Sequence, residues 1–294
     1  MIKVNGEVFK LSRFSDGTLN IKSNFNLVEN KVVITWNYES DSEFMALAFL
    51  TKYFQLGNND VFLFLPYVPN ARMDRVEEFG DIFTLQYFAD LINSFNFKAV
   101  YVVDPHSYVS TAVIKNCFVV SITELFSVVL KSILDAEKIK KHDDFPLIFY
   151  PDEGATKKYT STLIKTDDTV FISQMPYAFG FKSRDWETGK ITNYSILGVN
   201  EKFIKNRVVI IRDDILSKGT TVYNAARRLK ALGASNIYLF VTHMENMTDR
   251  YATNLFSSNL ITHVFTTDSI YKEKSSDKIT VLSINMKLNP ENKK

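Results

Sequence analysis

The chain has 294 residues, 46% of them hydrophobic and 23% charged, the balance of a globular protein rather than a disordered one. Its 35 Lys and Arg against 33 Asp and Glu leave a net charge of +2, so no basic surplus points to nucleic acid or an anionic membrane. The single cysteine, Cys117, excludes an intrachain disulfide and a cysteine-rich zinc site, and no uncharged apolar run is long enough to span a bilayer. The opening residues carry no apolar signal core, so the expectation is a soluble, cytoplasmic protein.

Short apolar, β-rich runs recur along the chain at Lys31–Trp36, Val61–Pro66, Lys98–Val103, Cys117–Ile122, Pro146–Tyr150, Thr169–Ser173, Arg207–Arg212, Asn236–Val241, Ile261–Phe265 and Lys278–Ile284. Most are continuously apolar, as strands buried on both faces of a parallel sheet must be. Helical spacing alternates with them. Leu47, Leu50 and Phe54 form a stripe in Ser42–Leu56, and Ile82, Leu85, Ala89 and Ile92 form another in Asp81–Phe95. Val222, Ala225, Ala226 and Leu229 form a third in Gly219–Leu232, which Gly233 is placed to stop. Strand and helix in alternation predict an α/β fold with mainly parallel sheets. The charged run Asp135–Asp144 marks the expected domain boundary. It gives an N-terminal domain over 1–135 and a second over 136–277, with a last strand in 278–294 returning to the first domain. A solvated helix end is the other reading of that run.

The strongest local signal is Val208-Val209-Ile210-Ile211-Arg212-Asp213-Asp214-Ile215-Leu216-Ser217-Lys218-Gly219-Thr220-Thr221. An apolar strand runs into two carboxylates, and a small polar loop then opens an amphipathic helix. Ligands of open parallel sheets bind at the carboxyl ends of strands, where a helix N-terminus offers N–H groups and positive potential to a phosphate. The carboxylates can meet sugar hydroxyls or a hydrated Mg²⁺. An ordinary strand–loop–helix junction, with Asp and Ser as caps, is the plain alternative.

That segment resembles the phosphoribosyl-diphosphate loop of type I phosphoribosyltransferases and of ribose-phosphate diphosphokinases. Five further segments resemble the diphosphokinases alone, in the order of that family. Arg13-Phe14-Ser15-Asp16-Gly17 is similar to the adenine-pocket segment, and Pro66-Tyr67 through Ala71-Arg72-Met73-Asp74-Arg75 to the ATP-binding stretch. Asp104-Pro105-His106-Ser107 is similar to the Asp-x-His that meets metal and triphosphate. Pro151-Asp152-Glu153-Gly154-Ala155 resembles the diphosphate loop, and Lys182-Ser183-Arg184, in the polar stretch Gly180–Lys190, the mobile catalytic loop.

The resemblance implies two phosphoribosyltransferase-like domains and Mg²⁺-dependent transfer of a diphosphoryl group from ATP to a ribose, with AMP leaving. It implies catalysis by Lys182, Arg184 and His106, and ATP binding by Phe14, Asp16, Arg72, Met73, Asp74, Arg75 and His106. Sugar phosphate would be held by Asp152, Asp213, Asp214, Ser217, Lys218, Gly219, Thr220 and Thr221, and metal by His106, Asp152 and Asp213. It also implies a homo-oligomer, at least a dimer, with no nucleic-acid or membrane partner. The chain departs from the family at Thr18 and Met73, where the family has glutamate and glutamine. It departs again at Ser217-Lys218-Gly219-Thr220-Thr221, where the family has Asp-Thr-Gly-Gly-Thr. The default acceptor is ribose 5-phosphate, and the altered loop makes a 5′-extended ribose such as ADP-ribose the alternative. A phosphoribosyltransferase and a catalytically silent partner of a synthetase are the other readings.

Overall fold

A computed structural model of the chain describes residues 1–22, 30–160, 165–166, 170–171, 175–184, 191–246 and 255–284. The chain divides into two compact units, Met1–Ser121 and Ile122–Lys294. In the first, β1 (Ile2–Val4) and β2 (Glu7–Val8) make an antiparallel edge, and β3 (Ser12–Arg13) with β4 (Leu19–Asn20) forms a separate small hairpin. Then β5 (Lys31–Trp36), α1 (Glu43–Leu56), β6 (Asp60–Leu65), α2 (Thr84–Ser94), β7 (Ala99–Val103), α3 (Tyr108–Val113) and β8 (Cys117–Val120) follow. The sheet runs β2-β1-β5-β6-β7-β8, parallel from β5 onward. The stripes read from the sequence face its core: Leu47, Leu50 and Phe54 of α1 and Leu85, Ala89 and Ile92 of α2 are fully buried. Ile82 is an exception at 57% exposed, because α2 begins only at Thr84.

The second unit opens with α4 (Thr123–Ala136) and continues through β9 (Leu147–Tyr150), α5 (Glu153–Tyr159), β10 (Lys165–Thr166) and β11 (Val170–Phe171). Next come the hairpin β12 (Tyr177–Arg184) and β13 (Ile191–Leu197), α6 (Glu201–Ile204), β14 (Val209–Leu216) and α7 (Thr220–Ala231). The described elements end with β15 (Ile237–Met244), β16 (His263–Thr267) and β17 (Ile279–Leu282). The sheet order is β13-β12-β9-β14-β15-β16-β17, with only the β12–β13 pair antiparallel. After β9 the chain winds outward through β12 and β13, then returns to lay β14 on the other side of β9. That reversal between β9 and β14 is a topological switch point, where crevices open at strand carboxyl ends.

Two domain expectations are corrected. The boundary falls before α4, not after it, because α4 belongs to the second unit. Phe126 stacks on Phe240 of β15 at 5.4 Å between ring centroids, and Glu137 at the helix end accepts hydrogen bonds from Asn236 and Tyr238. The charged run 135–144 is thus a helix end within one unit, as its solvated-end reading had it. The last strand does not return to the first domain: β17 pairs in parallel with β16, Val264 opposite Ile279 and Thr267 opposite Leu282. The remainder of the expected strand 278–294, from residue 285 onward, lies outside the described residues.

Candidate active site

In the first unit, three expected segments are local structures with distinct exposure. At the β3–β4 turn, Arg13 donates to the Gly17 carbonyl at 2.7 Å, and Gly17 takes φ 86°, a conformation that glycine adopts without steric cost. Thr18 donates to Asp16 through both its hydroxyl and its N–H, at 2.7 and 2.9 Å, and these bonds hold the exposed Asp16 carboxyl below its ordinary value. Phe14 stands 56% exposed at the tip.

The segment after β6 and the segment after β7 are joined through Asp74. This carboxylate is buried and accepts from Arg75 Nε at 2.7 Å, Arg75 Nη2 at 3.2 Å and Ser107 Oγ at 2.5 Å. Burial works to raise its carboxyl. The hydrogen bonds from Arg75 and Ser107, with the charges of Arg75 and His106, outweigh that and keep it below the usual carboxylate range. Asp104, with a left-handed φ of 42°, turns the chain out of β7, and Ser107 caps α3 by accepting from Val109 at 3.3 Å. His106, Arg72 and Met73 are exposed around this buried anchor. The arrangement presents Arg72 and Arg75 from one strand end and His106 from the adjacent parallel one, with Asp74 orienting Arg75 rather than reaching solvent itself.

In the second unit the acidic residues converge at the switch point. Asp152 leaves the end of β9 and caps α5, accepting from Ala155 N at 3.1 Å. Asp213 lies in β14, pairing in register with Val241 of β15. The sequence places the two carboxylates at the strand's end. The strand instead runs three residues past Asp213 to Leu216, leaving Asp214 almost wholly buried. Burial, the Asp214 charge and then the Asp152 charge push the Asp213 carboxyl well above its ordinary value. Tyr194 of β13 stands against the same pair. Its hydroxyl donates to the Pro151 carbonyl at 3.0 Å, and burial, followed by Asp152 and Asp213, raises its pKa. No motif in the sequence singles out Tyr194.

Beyond β14, Gly219 takes φ 77° and begins α7. Lacking a side chain, it leaves the first N–H groups of a twelve-residue helix uncapped by the N-cap residue. Lys218 is exposed beside this turn, while Thr220 and Thr221 are partly buried in the first turn. Ser217 donates its hydroxyl to Glu245, which follows β15. His243 is enclosed, with Nδ1 2.9 Å from Ser269 Oγ.

Lys182 and Arg184 correct the sequence reading in one respect. The polar stretch expected as a loop is β strand up to Arg184, and backbone register sets Lys182 opposite Tyr194 and Arg184 opposite Ile191. Their side chains, and residues 185–190, lie outside what the structure describes. Among the described residues no three acidic, His or Cys side chains form a metal cage. Asp152 and Asp213 nevertheless fit Mg²⁺, which is held by one or two carboxylates and keeps most of its waters. The raised Asp213 carboxyl also marks a site that a divalent cation would relieve. No described helix is long and apolar enough to cross a membrane.

Two α/β units with mainly parallel sheets, the second carrying a phosphate-type helix N-terminus at a strand switch, define the type I phosphoribosyltransferase-like fold class. The crystal structure of phosphoribosylpyrophosphate synthetase from Mycobacterium smegmatis shares the fold. Its TM-score is 0.71 at 19% identity, and the match covers 94% of this chain and 85% of that one. No family model matches the chain. A ribose-phosphate pyrophosphokinase of Saccharolobus solfataricus is 24% identical over 247 residues, covering 83% of this chain and 77% of the relative. One of Thermotoga maritima is 24% identical over 281 residues, covering 94% and 82%. Over most of its length the chain is thus similar to ribose-phosphate pyrophosphokinases, at 24% identity to these two relatives.

Proposed function

We propose that the protein transfers the β,γ-diphosphoryl group of ATP to the C1 hydroxyl of a ribose bearing a 5-phosphoryl group. The hydroxyl oxygen attacks the β-phosphorus, and the bond from that phosphorus to the α-bridging oxygen breaks. AMP leaves, and the hydroxyl proton passes to solvent. One observation carries the reading: Asp152 and Asp213 meet at the switch point beside the glycine-opened N-terminus of α7. Carboxylates suit sugar hydroxyls and Mg²⁺, and the helix end suits the 5-phosphate. The names of the relatives agree with that chemistry.

In this reading His106, Arg72 and Arg75 bind the triphosphate, and Phe14, Asp16 and Met73 meet the adenosine, with Asp74 fixing Arg75. Asp152 and Asp213, with His106, would hold Mg²⁺, which when bound would supply charge neutralisation for the transferring group. Asp152, Asp213 and Asp214 orient the sugar and the ion. Ser217 through Thr221 cradle the 5-phosphate, and Lys182 and Arg184 act on charge that develops in the transition state. Ribose 5-phosphate is the first acceptor. ADP-ribose is the second, favoured by the exposed Lys218 beside the phosphate-binding turn, where a second phosphoryl group would find a cation. The working unit is a dimer or larger, with the exposed Phe14 and Asp16 completing a neighbour's adenine pocket; a fully active monomer by light scattering would refute this. The deciding assay incubates the protein with ATP, Mg²⁺ and each acceptor and measures AMP. AMP release that depends on either acceptor supports the reading; none with either overturns it.

A further inference from the structure

The ladder between β9 and β12 ends where Tyr150 pairs with Phe179. Past that point β12 runs on through Gly180 to Arg184, while the chain leaving β9 turns through Pro151 into Asp152. Tyr194 spans the two. In the β12–β13 register it stands opposite Lys182, so Gly180 is its diagonal neighbour, within reach of a long side chain. Its phenol crosses Gly180 and donates to the Pro151 carbonyl at 3.0 Å. A glycine inside a strand marks a close approach, and here a Cβ would overlap the phenol and crowd the same carbonyl oxygen. Strand, ring and turn are built as one fitted contact.

What the contact holds is Asp152. The carbonyl that takes the Tyr194 hydroxyl belongs to the peptide just before this residue. On its other side the Asp152 carboxylate caps α5, accepting from Ala155 N at 3.1 Å. Burial, then the charges of Asp152 and Asp213, raise the phenol above its ordinary value, so the ring stands beside both acids. A phenol has one proton to donate, and this one is committed to backbone, which makes the hydroxyl a tie. We propose that Tyr194 is a positioning residue of the acceptor site: it acts through Asp152, setting where that carboxylate stands for the sugar. This deepens the function proposed above and rests on it. Chemistry that works by positioning is sensitive to such ties, because a displacement of about 1 Å costs on the order of 10²-fold in rate.

The test is a double-mutant cycle of wild type, Tyr194→Phe, Asp152→Asn and the double variant. AMP release with ATP, Mg²⁺ and ribose 5-phosphate gives kcat and both KM values, and calorimetry gives the Kd of ribose 5-phosphate. Tyr194→Phe keeps the ring and loses only the hydroxyl. It should lower kcat about 10- to 100-fold and raise the acceptor Kd about 3- to 10-fold, with the ATP KM within a few-fold. Once Asp152 is asparagine, the tyrosine change should add less than about 3-fold in kcat or Kd, since the phenol acts through that carboxylate. A merely structural tyrosine would lower the denaturation midpoint and show neither the split between kcat and ATP KM nor the coupling. A Tyr194→Phe protein, folded by circular dichroism, with unchanged kcat and Kd overturns the assignment. Losses that multiply in the double variant overturn it as well. If Kd shows the expected coupling yet wild type releases no AMP, the assignment stands and the proposed activity falls. If wild type neither binds nor turns over ribose 5-phosphate, both fall.

Discussion

Gly180 sits where three segments meet, and replacing it with alanine tests how firmly the β12 strand is pinned to the acidic edge. A Cβ at this position would lie 2.7 Å from the Pro151 carbonyl oxygen and overlap the Tyr194 hydroxyl. The tyrosine tip can swing away, but the carbonyl is backbone and sits just before Asp152. Removing glycine's freedom from the unfolded chain favours the variant by about 0.4–1 kcal/mol. Against that stand overpacking, about 1–3 kcal/mol, and loss of the Tyr194–Pro151 hydrogen bond, about 0.5–1.5 kcal/mol. The strain wins, with a net loss of about 0.5–4 kcal/mol. Urea denaturation followed by circular dichroism measures it, and the double variant with Tyr194→Phe should recover part of the loss but not the share due to Pro151. A Gly180→Ala protein as stable as wild type would show that β12 and the Pro151 turn are not in contact, and the account of this edge would fail.

The raised Asp213 carboxyl makes the metal-free fold pay at neutral pH: a carboxyl raised on folding contributes stability below about pH 4 that is lost as pH climbs through its folded value. Asp213→Asn should therefore be more stable than wild type at pH 7.5 in EDTA, with the gap closing near pH 4 and narrowing when Mg²⁺ is added; equal denaturation midpoints at both pH values would refute this. Phe126→Ala, which empties a fully buried site between Phe240 and the Arg212 guanidinium 4.2 Å from its ring, should cost about 3–5 kcal/mol. Hydrogen exchange should place that loss in β14 and β15 and spare β5 to β7; loss in the first sheet instead would contradict the division before α4. Lys182→Ala and Arg184→Ala should each lower turnover on the order of 10²-fold while ATP binding stays within a few-fold, and unchanged turnover would remove both from the mechanism.

Legibility in the sequence follows burial and range. The apolar runs within β5, β6, β7, β9, β14, β15 and β16 are readable because strands of a covered parallel sheet are apolar over most of their buried positions. The β12–β13 hairpin is not, since it lies at the sheet's edge and its second half reads as polar loop. The boundary is misread for a related reason. Charge at 135–144 is conspicuous, but the allegiance of α4 rests on Phe126, Val129, Leu130 and Ile133, a helical stripe with no local mark of which sheet it covers. Within the candidate site, Asp152 and Gly219 are legible because an acid closing a strand and a helix-opening glycine mark themselves by spacing, whereas Asp213 lies three residues inside the end of β14. Tyr194 and Glu245 are not legible. Their partners, Pro151 and Ser217, are 43 and 28 residues away, and only sheet register brings them together.

Strand order also sets a schedule for the growing chain. Asp152 and Asp213 are neighbours in space but 61 residues apart in sequence, with the whole β12–β13 hairpin emerging between them. At roughly 5–20 residues per second, a ribosome leaves β9 waiting about 3–12 s for β14, with β12 available to one flank and the other flank open. An uncovered apolar edge invites wrong pairing for that interval. The strand that closes it is the one carrying the buried acids. Correct docking therefore brings like charges together at the moment the edge is sealed.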